Sequence, residues 1–204
     1  MDIKDRISQF ASSLFWRNGV RSVSMDDIAA GLAMSKKTLY KSFDNKDELV
    51  LAVMQRQLTD SQSQCTRVAG EAANAVEEMV NISRWAEQQF SHIHPGIFYD
   101  LRKYHPQAWE LFMAHKKTFI LTQITNNLRR GIAEGLFRPD LDVDVLARLS
   151  LAQIELAFDP ELYPTADFTL ARVNRVFDEH FLLGVATLKG HRLINTYQHI
   201  SEEE

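Results

Sequence analysis

The sequence predicts an all-α fold, with a small N-terminal three-helix unit followed by a larger helical body. Apolar residues recur at spacings of three and four along most of the 204-residue chain, which is the period of one helix face. Glycine, proline or asparagine interrupts these segments, and candidate capping side chains stand beside several of the breaks. No stretch alternates apolar and polar residues between turn pairs, so we predict no β-strand.

The three-helix unit is predicted from apolar spacing and from two capping positions. Its first helix covers residues 2–18. Ser24 is a candidate N-cap of the second helix, and Asp27 three positions later completes a capping-box pattern. After a break at residues 31–34, Ser35 is the candidate N-cap of the third helix.

The larger body begins with a connecting helix and continues through four more predicted helices. Asn45 is a candidate N-cap, with Glu48 three positions later, and the helix runs towards Cys65 with a weak break expected at Gly70. The tail after Gly190 is expected to fray. The remaining helices are predicted over residues 71–92, 106–134, 143–158 and 167–189, with a short segment over residues 97–103 between the first two.

Composition is that of an ordinary globular protein with a local basic patch. Hydrophobic residues make up 45% and charged residues 25% of the chain, which argues against wholesale disorder. The formal net charge is −4, yet residues 35–46 hold four lysines and one aspartate. Remote negative charge is largely screened beyond about 8–10 Å at physiological salt, so this patch can still meet nucleic acid.

The sequence also predicts the cellular compartment. Cys65 is the single cysteine, so an intrachain disulfide is not possible and a reducing compartment fits best. The first twenty residues mix charged and apolar positions, unlike a signal peptide, and no apolar run approaches the ~18 residues of a membrane span. We expect a cytoplasmic protein that has no membrane partner and needs no cofactor.

The third predicted helix has two contrasting sides. Leu39 and Phe43, four residues apart, form the apolar side. A face that is cationic, hydroxyl-rich and aromatic suits contact with phosphates and base edges. We therefore interpret the second and third helices as a helix-turn-helix whose second helix lies in the DNA major groove. The polar side carries Lys36, Lys37, Thr38, Tyr40 and Lys41.

A longer motif surrounds this helix-turn-helix. From Ala11 to Val50 the chain reads A-S-S-L-F-W-R-N-G-V-R-S-V-S-M-D-D-I-A-A-G-L-A-M-S-K-K-T-L-Y-K-S-F-D-N-K-D-E-L-V. The D-I-A triplet, the small-residue turn, S-K-x-T-L-Y and K-x-E-L at these spacings resemble the TetR family of bacterial transcriptional regulators. Lys37 stands where that family usually has glycine, and Lys41-Ser42 where an aromatic-His pair is common. These departures predict a more cationic recognition helix with its own base preference.

The resemblance implies an organisation and a mechanism. It implies a helix-turn-helix DNA-binding domain over residues 1–47 and a helical effector-binding and dimerisation domain over residues 48–204. It further implies a homodimeric repressor, released from a palindromic double-stranded DNA operator when a small, largely apolar or aromatic molecule binds the C-terminal domain. Ser24 and Lys46 would contact phosphates from helix N-termini. The residues expected to bind the operator are Ser24, Ser35, Lys36, Lys37, Thr38, Tyr40, Lys41 and Lys46.

An aromatic-rich run between Trp85 and Phe119 has two interpretations. At helical spacing such a run is typical of plain core, whereas the resemblance favours a ligand pocket, because the family places its ligand among the central helices. His94 and His105 are further candidate polar groups. The candidate ligand-binding residues are Trp85, Phe90, His92, Phe98, Tyr104, Trp109, Phe112 and Met113.

The last two long predicted helices, residues 143–158 and 167–189, indicate a homodimer. Their apolar residues extend more than halfway round, which is too much for one intramolecular face. Packing of both helices against a second copy as a four-helix bundle would bury the excess. The alternative is that they are central helices of a monomer.

Other function classes lack positive signals. The chain contains no G-x-S-x-G, phosphate-loop, H-E-x-x-H or paired-cysteine zinc pattern, so we predict no catalytic residue and no metal ligand. His92 and His94 would lie about 200° apart on a helix, too far round to chelate one ion. A ligand-independent DNA-binding regulator and a helical protein–protein adaptor remain open as alternatives.

Overall fold

The computed structural model describes residues 2–91, 93–94 and 96–198, and this part of the chain is helical. An isolated antiparallel bridge joins Phe137 to Ala186, and no strand occurs within the described residues. The all-α prediction is confirmed. The elements are α1 (Ile3–Asn18), α2 (Met25–Gly31), α3 (Lys36–Ser42), α4 (Lys46–Glu71), α5 (Ala75–Phe90), α6 (Ile97–Tyr104), α7 (Pro106–His115), a π-helical turn (Lys116–Ile120), α8 (Leu121–Ala133), α9 (Val143–Leu156), α10 (Leu170–Val185) and α11 (Leu188–Gln198).

The chain divides into two compact units. The head unit comprises Met1–Ser61 and His92–His115, and the body unit comprises Gln62–Ser91 and Lys116–Glu204. Helix α4 begins in the head unit and ends in the body unit. The head unit is larger than the predicted DNA-binding domain, since it includes α6 and α7; the functional boundary after residue 47 stays a prediction.

The head unit is organised around a core that α1, α2, α3 and α4 share. Ile7, Ile28, Leu39 and Leu49, one from each helix, are each 0% exposed. Because α3 has only seven residues, it cannot persist alone in water, and the buried Leu39 fixes it to the other helices. At Gly31 an added Cβ would lie 2.3 Å from the ring of Phe10, so glycine permits the close approach of α2 to α1.

The body unit has its own core, formed mainly by α5, α8, α10 and α11. Val76, Leu128, Phe181 and Ile194 are buried members of this cluster. Asn74 caps α5 by accepting a hydrogen bond from the backbone N–H of Glu77 at 2.9 Å. In the described residues no helix combines the length and the apolar character that crossing a membrane requires.

Two helix boundaries in the structure differ from the prediction. Gly70 does not interrupt α4, which continues to Glu71. An exposed glycine inside a helix costs only about 1 kcal/mol relative to alanine, so the surrounding residues keep the helix intact. The predicted helix over residues 106–134 is instead interrupted by the π-helical turn, where Lys116 is 2% exposed and pairs with Glu155 of α9.

The C-terminal prediction is also wrong in part. The helix predicted over residues 167–189 begins at Leu170 and ends at Val185, and Thr187 begins a new turn by accepting a hydrogen bond at Oγ1 from the N–H of Gly190. Beyond Gly190 the chain does not fray at once, because α11 continues to Gln198 with Ile194 fully buried. Local sequence does not reveal this, since the burial of Ile194 depends on distant helices.

Candidate nucleic-acid interface and ligand cavity

The start of α2 is held by a complete capping box. The Oγ of Ser24 accepts a hydrogen bond from the N–H of Asp27 at 3.1 Å, and Oδ2 of Asp27 accepts one from the N–H of Ser24 at 2.8 Å. The Ser24 hydroxyl also donates to the same carboxylate, and these hydrogen bonds lower the pKa of Asp27. The predicted cap is confirmed, so the phosphate role predicted for Ser24 must be compatible with it.

The recognition helix α3 presents the polar side that the sequence predicts. Ser35 accepts a hydrogen bond from the N–H of Thr38 at 3.1 Å, which confirms it as the N-cap. The hydroxyl groups of these two residues lie 2.8 Å apart. Lys37 and Lys41 are exposed, and Tyr40 keeps 45% of its surface accessible. Two cations and a phenol are therefore available on one short helix.

Lys36 differs from the other two lysines of α3 because it already has an acidic partner. Its Nζ lies 2.6 Å from Oδ2 of Asp26 on α2, and both side chains are exposed. The hydrogen bond to Asp26 raises the pKa of Lys36. Contact with a phosphate therefore requires Lys36 to exchange one anionic partner for another.

Lys46 is an internal brace of the head unit. Its Nζ donates to the backbone oxygen of Val20 at 2.6 Å and lies 6.0 Å from the centre of the Phe15 ring. Burial lowers the pKa of Lys46. The phosphate contact predicted for Lys46 would therefore have to displace or share this hydrogen bond, and the sequence motif contained no sign of the brace.

Within the head unit, polar contacts join α6, the segment before it and the start of α7 to α1, the loop after α1 and the start of α4. Asp100 accepts a hydrogen bond from the N–H of Arg21 at 2.9 Å, and the N–H of His94 donates to the backbone oxygen of Trp16 at 2.6 Å. His105 pairs with Asp47 at the start of α4. Sequence reasoning missed Asp100 and Asp47, because these contacts join residues 58–79 positions apart.

The predicted ligand-binding residues that the structure describes are divided between the two units. Phe98, Tyr104, Trp109, Phe112 and Met113 belong to the head unit. The ring centroids of Phe98 and Trp109 lie 5.0 and 5.6 Å from that of Phe112, so these three rings form a packed aromatic cluster.

The other three candidates have different surroundings. Trp85 and Phe90 lie on α5 in the body unit, where the Phe90 ring meets Phe158 edge-on at 5.7 Å. His92 lies outside the described residues, so the His92-x-His94 metal interpretation lies outside them too. In the part of the chain that is described, no group of three metal-ligating side chains is close enough to hold an ion.

A cavity of about 460 Å³ lies within the body unit. It is formed by α5, the π-helical turn, α8, α9 and α10, with single residues from α4 and α11. None of the seven predicted ligand-binding residues that the structure describes lines it. Its wall is mainly apolar, and its apolar members include Met79, Ile82, Phe119, Ile120, Ile124, Ile154 and Phe181.

Three polar side chains that sequence reasoning missed face this cavity. Ser83 of α5 donates a hydrogen bond to Oδ2 of Asp178 on α10 at 2.7 Å. Burial raises the pKa of Asp178, an effect that the Ser83 hydrogen bond partly opposes. Asn127 of α8 is 6% exposed, and its amide donates to the backbone oxygen of Ala75 at 3.1 Å. Helical periodicity places such residues on an inward face but does not show that the face borders a cavity.

Comparison with known proteins places this architecture among transcriptional regulators. Residues 8–53 match the family model described as bacterial regulatory proteins, tetR family. The HTH-type transcriptional regulator YvaF of Bacillus subtilis is 28% identical over 156 residues, which are 74% of this chain and 80% of that protein. The HTH-type transcriptional repressor KstR2 of Mycolicibacterium smegmatis is 24% identical over 152 residues, 71% of this chain and 72% of that protein.

A solved structure extends the match to the whole fold. The TetR-family regulator from Agrobacterium tumefaciens superposes with a TM-score of 0.74 at 18% identity, covering 90% of this chain and 97% of that one. At this identity the likeness concerns the fold, and the N-terminal motif carries the function. The match of residues 8–53 to the tetR family model, together with relatives over most of the chain that are HTH-type transcriptional regulators, identifies a DNA-binding regulator with a TetR-type N-terminal segment.

Proposed function

We propose that this regulator is a homodimeric repressor that leaves its operator when a small, largely apolar molecule fills the body cavity. The observation that carries the proposal is the 460 Å³ cavity, present in the same chain as a recognition helix with an exposed cationic face. A cavity of this size with a mainly apolar wall and a few polar groups is typical of a small-molecule site. Lys37, Tyr40 and Lys41 are the operator-binding residues that the geometry favours.

Exposed apolar residues on α9 and α10 support the homodimer. On α9, Val145 is 60% and Leu149 is 50% exposed, four residues apart on one helix face. On α10, Val176 is 52% and Leu183 is 37% exposed. Two copies that pair these helices would bury both faces in a four-helix bundle, and their two-fold symmetry would present two recognition helices to a palindromic operator.

The connectivity of the chain supports a route from the cavity to the DNA. Phe119 and Ile120 of the π-helical turn line the cavity, and this turn follows α7 directly. Within the head unit, His105 at the start of α7 pairs with Asp47 of α4. A ligand that shifts the π-helical turn would therefore act on α7 and, through this pair, on the helix that begins beside the recognition helix.

The proposal is tested by selecting DNA from a random pool with the purified protein, followed by a reporter assay with the selected site. We expect a two-fold symmetric site and lower reporter expression when the regulator is present. An asymmetric site bound by a monomer would refute the dimer, and higher expression would refute repression. Failure of every apolar compound to release the DNA would support the ligand-independent regulator instead.

A further inference from the structure

The cavity wall contains a buried acceptor that the protein leaves without a partner. The Oδ1 of Asn127 has no hydrogen-bond partner in the described structure, although the amide nitrogen of the same side chain is bonded to Ala75. Because the Nδ2 bond to a carbonyl fixes the orientation of the amide, the unpaired atom is an acceptor. Buried acceptors in folded proteins are nearly always satisfied, so this oxygen is an unsatisfied polar position in the wall of the cavity.

A second acceptor on the same cavity is negatively charged when ionised. Asp178 accepts one hydrogen bond from Ser83, and no lysine or arginine of the described chain forms an ion pair with it. A carboxylate has about four acceptor positions, so the Ser83 bond leaves most of its capacity unused. Burial disfavours an ionised carboxylate that has no cation beside it, which explains the raised pKa of Asp178.

The remaining charges around the cavity are largely paired with each other. Glu87 lies 3.7 Å from Arg175, and Glu78 lies 3.1 Å from Arg130. The guanidinium of Arg84 donates to the backbone oxygen of Tyr197. Among the described residues that line the cavity, these contacts leave no arginine without a partner, so the charged groups without an ion pair are carboxylates.

We propose that the cavity binds an amphipathic amine, a molecule with an apolar body and a protonated amino head group. The head group would pair with Asp178 and donate to Oδ1 of Asn127 or to a neighbouring acceptor, while the body would fill the space lined by Ile124, Ile154 and Phe181. This inference rests on the proposed use of the cavity as the ligand site. It narrows that site to cations and disfavours carboxylates and phosphates.

Calorimetric titration at pH 7.5 tests the head group with three ten-carbon probes, each below its aggregation concentration. Decylamine, decanol and decanoate share the same body and differ in charge. We expect decylamine to bind at least tenfold more tightly than decanol, and decanoate to bind most weakly. Equal affinity of the amine and the alcohol, preference for decanoate, or no measurable amine binding would each overturn the proposal.

Two variants locate the amine. Asp178→Asn keeps the shape and can still accept the Ser83 hydrogen bond, so it should remove the preference for decylamine while changing decanol affinity by no more than about twofold. Asp167→Asn, at an exposed aspartate, is the matched control and should keep the preference. An Asp178→Asn variant that still prefers the amine would refute the role of Asp178.

A cavity-filling variant distinguishes amine binding inside the cavity from amine binding to acidic residues on the protein surface. Ile154→Trp should weaken both decylamine and decanol at least tenfold, with circular dichroism as the check on folding; if it fails to fold, the Asp178→Asn comparison decides alone. A folded Ile154→Trp protein that binds decylamine normally would contradict the cavity assignment. Because these titrations contain no DNA, they remain decisive even if ligand binding does not release the operator.

Discussion

The Nδ1 atom of His105 lies 2.5 Å from Oδ1 of Asp47 and joins the start of α7 to the first turn of α4. His105 is 8% exposed, whereas the Asp47 side chain is 70% exposed, so the contact lies at the edge of the head unit. Asp47 lies two residues after Asn45, which belongs to the connection between α3 and α4. We therefore expect a displacement of α7 to act on the start of α4 through this contact.

We expect Asp47→Ala to reduce ligand-driven release while leaving ligand affinity unchanged. The variant breaks the pair with His105, at a cost of about 1 kcal/mol in the free energy of unfolding. Asp44→Ala is the matched control, since it removes an exposed carboxylate of the same turn that has no hydrogen bond in the described structure. Fluorescence anisotropy of labelled operator DNA, recorded as ligand is added, measures the release for both variants. Normal release by Asp47→Ala would contradict a coupling of α7 to α4 through the His105–Asp47 pair.

The operator-binding residues can be ranked by substitution on α3. Lys37→Ala and Lys41→Ala should each weaken operator binding several-fold. Each should also reduce the magnitude of the slope of log affinity against log salt concentration by about 1, because a protein that neutralises one phosphate fewer releases fewer counterions on binding. Tyr40→Ala should weaken binding with an unchanged slope, since it removes no charge. Lys117→Ala, an exposed lysine of the body unit, serves as the charge-matched control. Unchanged affinity in all three α3 variants would refute the docking of this helix.

A substitution that places a negative charge on the exposed face of α9 tests the proposed dimer interface. Leu149→Glu should shift the protein to monomers in sedimentation at micromolar concentration and weaken operator binding by at least tenfold, because a buried unpaired carboxylate opposes association. Leu188→Glu places the same charge on α11, where Leu188 is 83% exposed, and should leave the dimer intact. Dimers that persist in Leu149→Glu would place the interface elsewhere.

The partly buried carboxylate of Asp178 predicts a pH-dependent stability difference. Its pKa is raised above 3.8, mainly by burial, so the folded protein binds this proton more tightly than the unfolded chain does. Wild-type stability relative to Asp178→Asn therefore increases as the pH falls through the raised pKa towards 3.8. In thermal melts without ligand, Asp178→Asn should be more stable than the wild type near pH 7 and equal to it near pH 4. If the stability difference between the wild type and Asp178→Asn did not change with pH, Asp178 would not be ionised in the folded protein near pH 7.

Sequence patterns predicted the parts of this protein that local chemistry determines. The caps at Ser24 and Ser35, the exposed face of α3 and the all-α class follow from residue type and helical period alone. The fully buried Leu39 shows why the recognition helix could be oriented from sequence: one strongly apolar position in a seven-residue helix defines its inner side.

The cavity could not be predicted in the same way, because it depends on how five elements pack. Aromatic residues such as Trp109 and Phe112 indicated a pocket, yet they fill space in the head unit. Asn127 and Asp178 are polar residues on mainly apolar helix faces, which is equally typical of a satisfied core position. Likewise the family resemblance predicted a phosphate contact for Lys46. Its hydrogen bond to Val20 could not be predicted, because it depends on the fold of the preceding loop.

Control of DNA binding by the body cavity is best tested by the release of a selected operator by decylamine, compared between the wild type and Ile154→Trp. Fluorescence anisotropy of labelled operator would report bound DNA as the amine is titrated. We expect the wild type to leave the DNA at the amine concentrations that fill its cavity, and Ile154→Trp to stay bound. A wild-type complex that persists with its cavity filled, or release of both proteins alike, would contradict a DNA reader controlled from the body cavity.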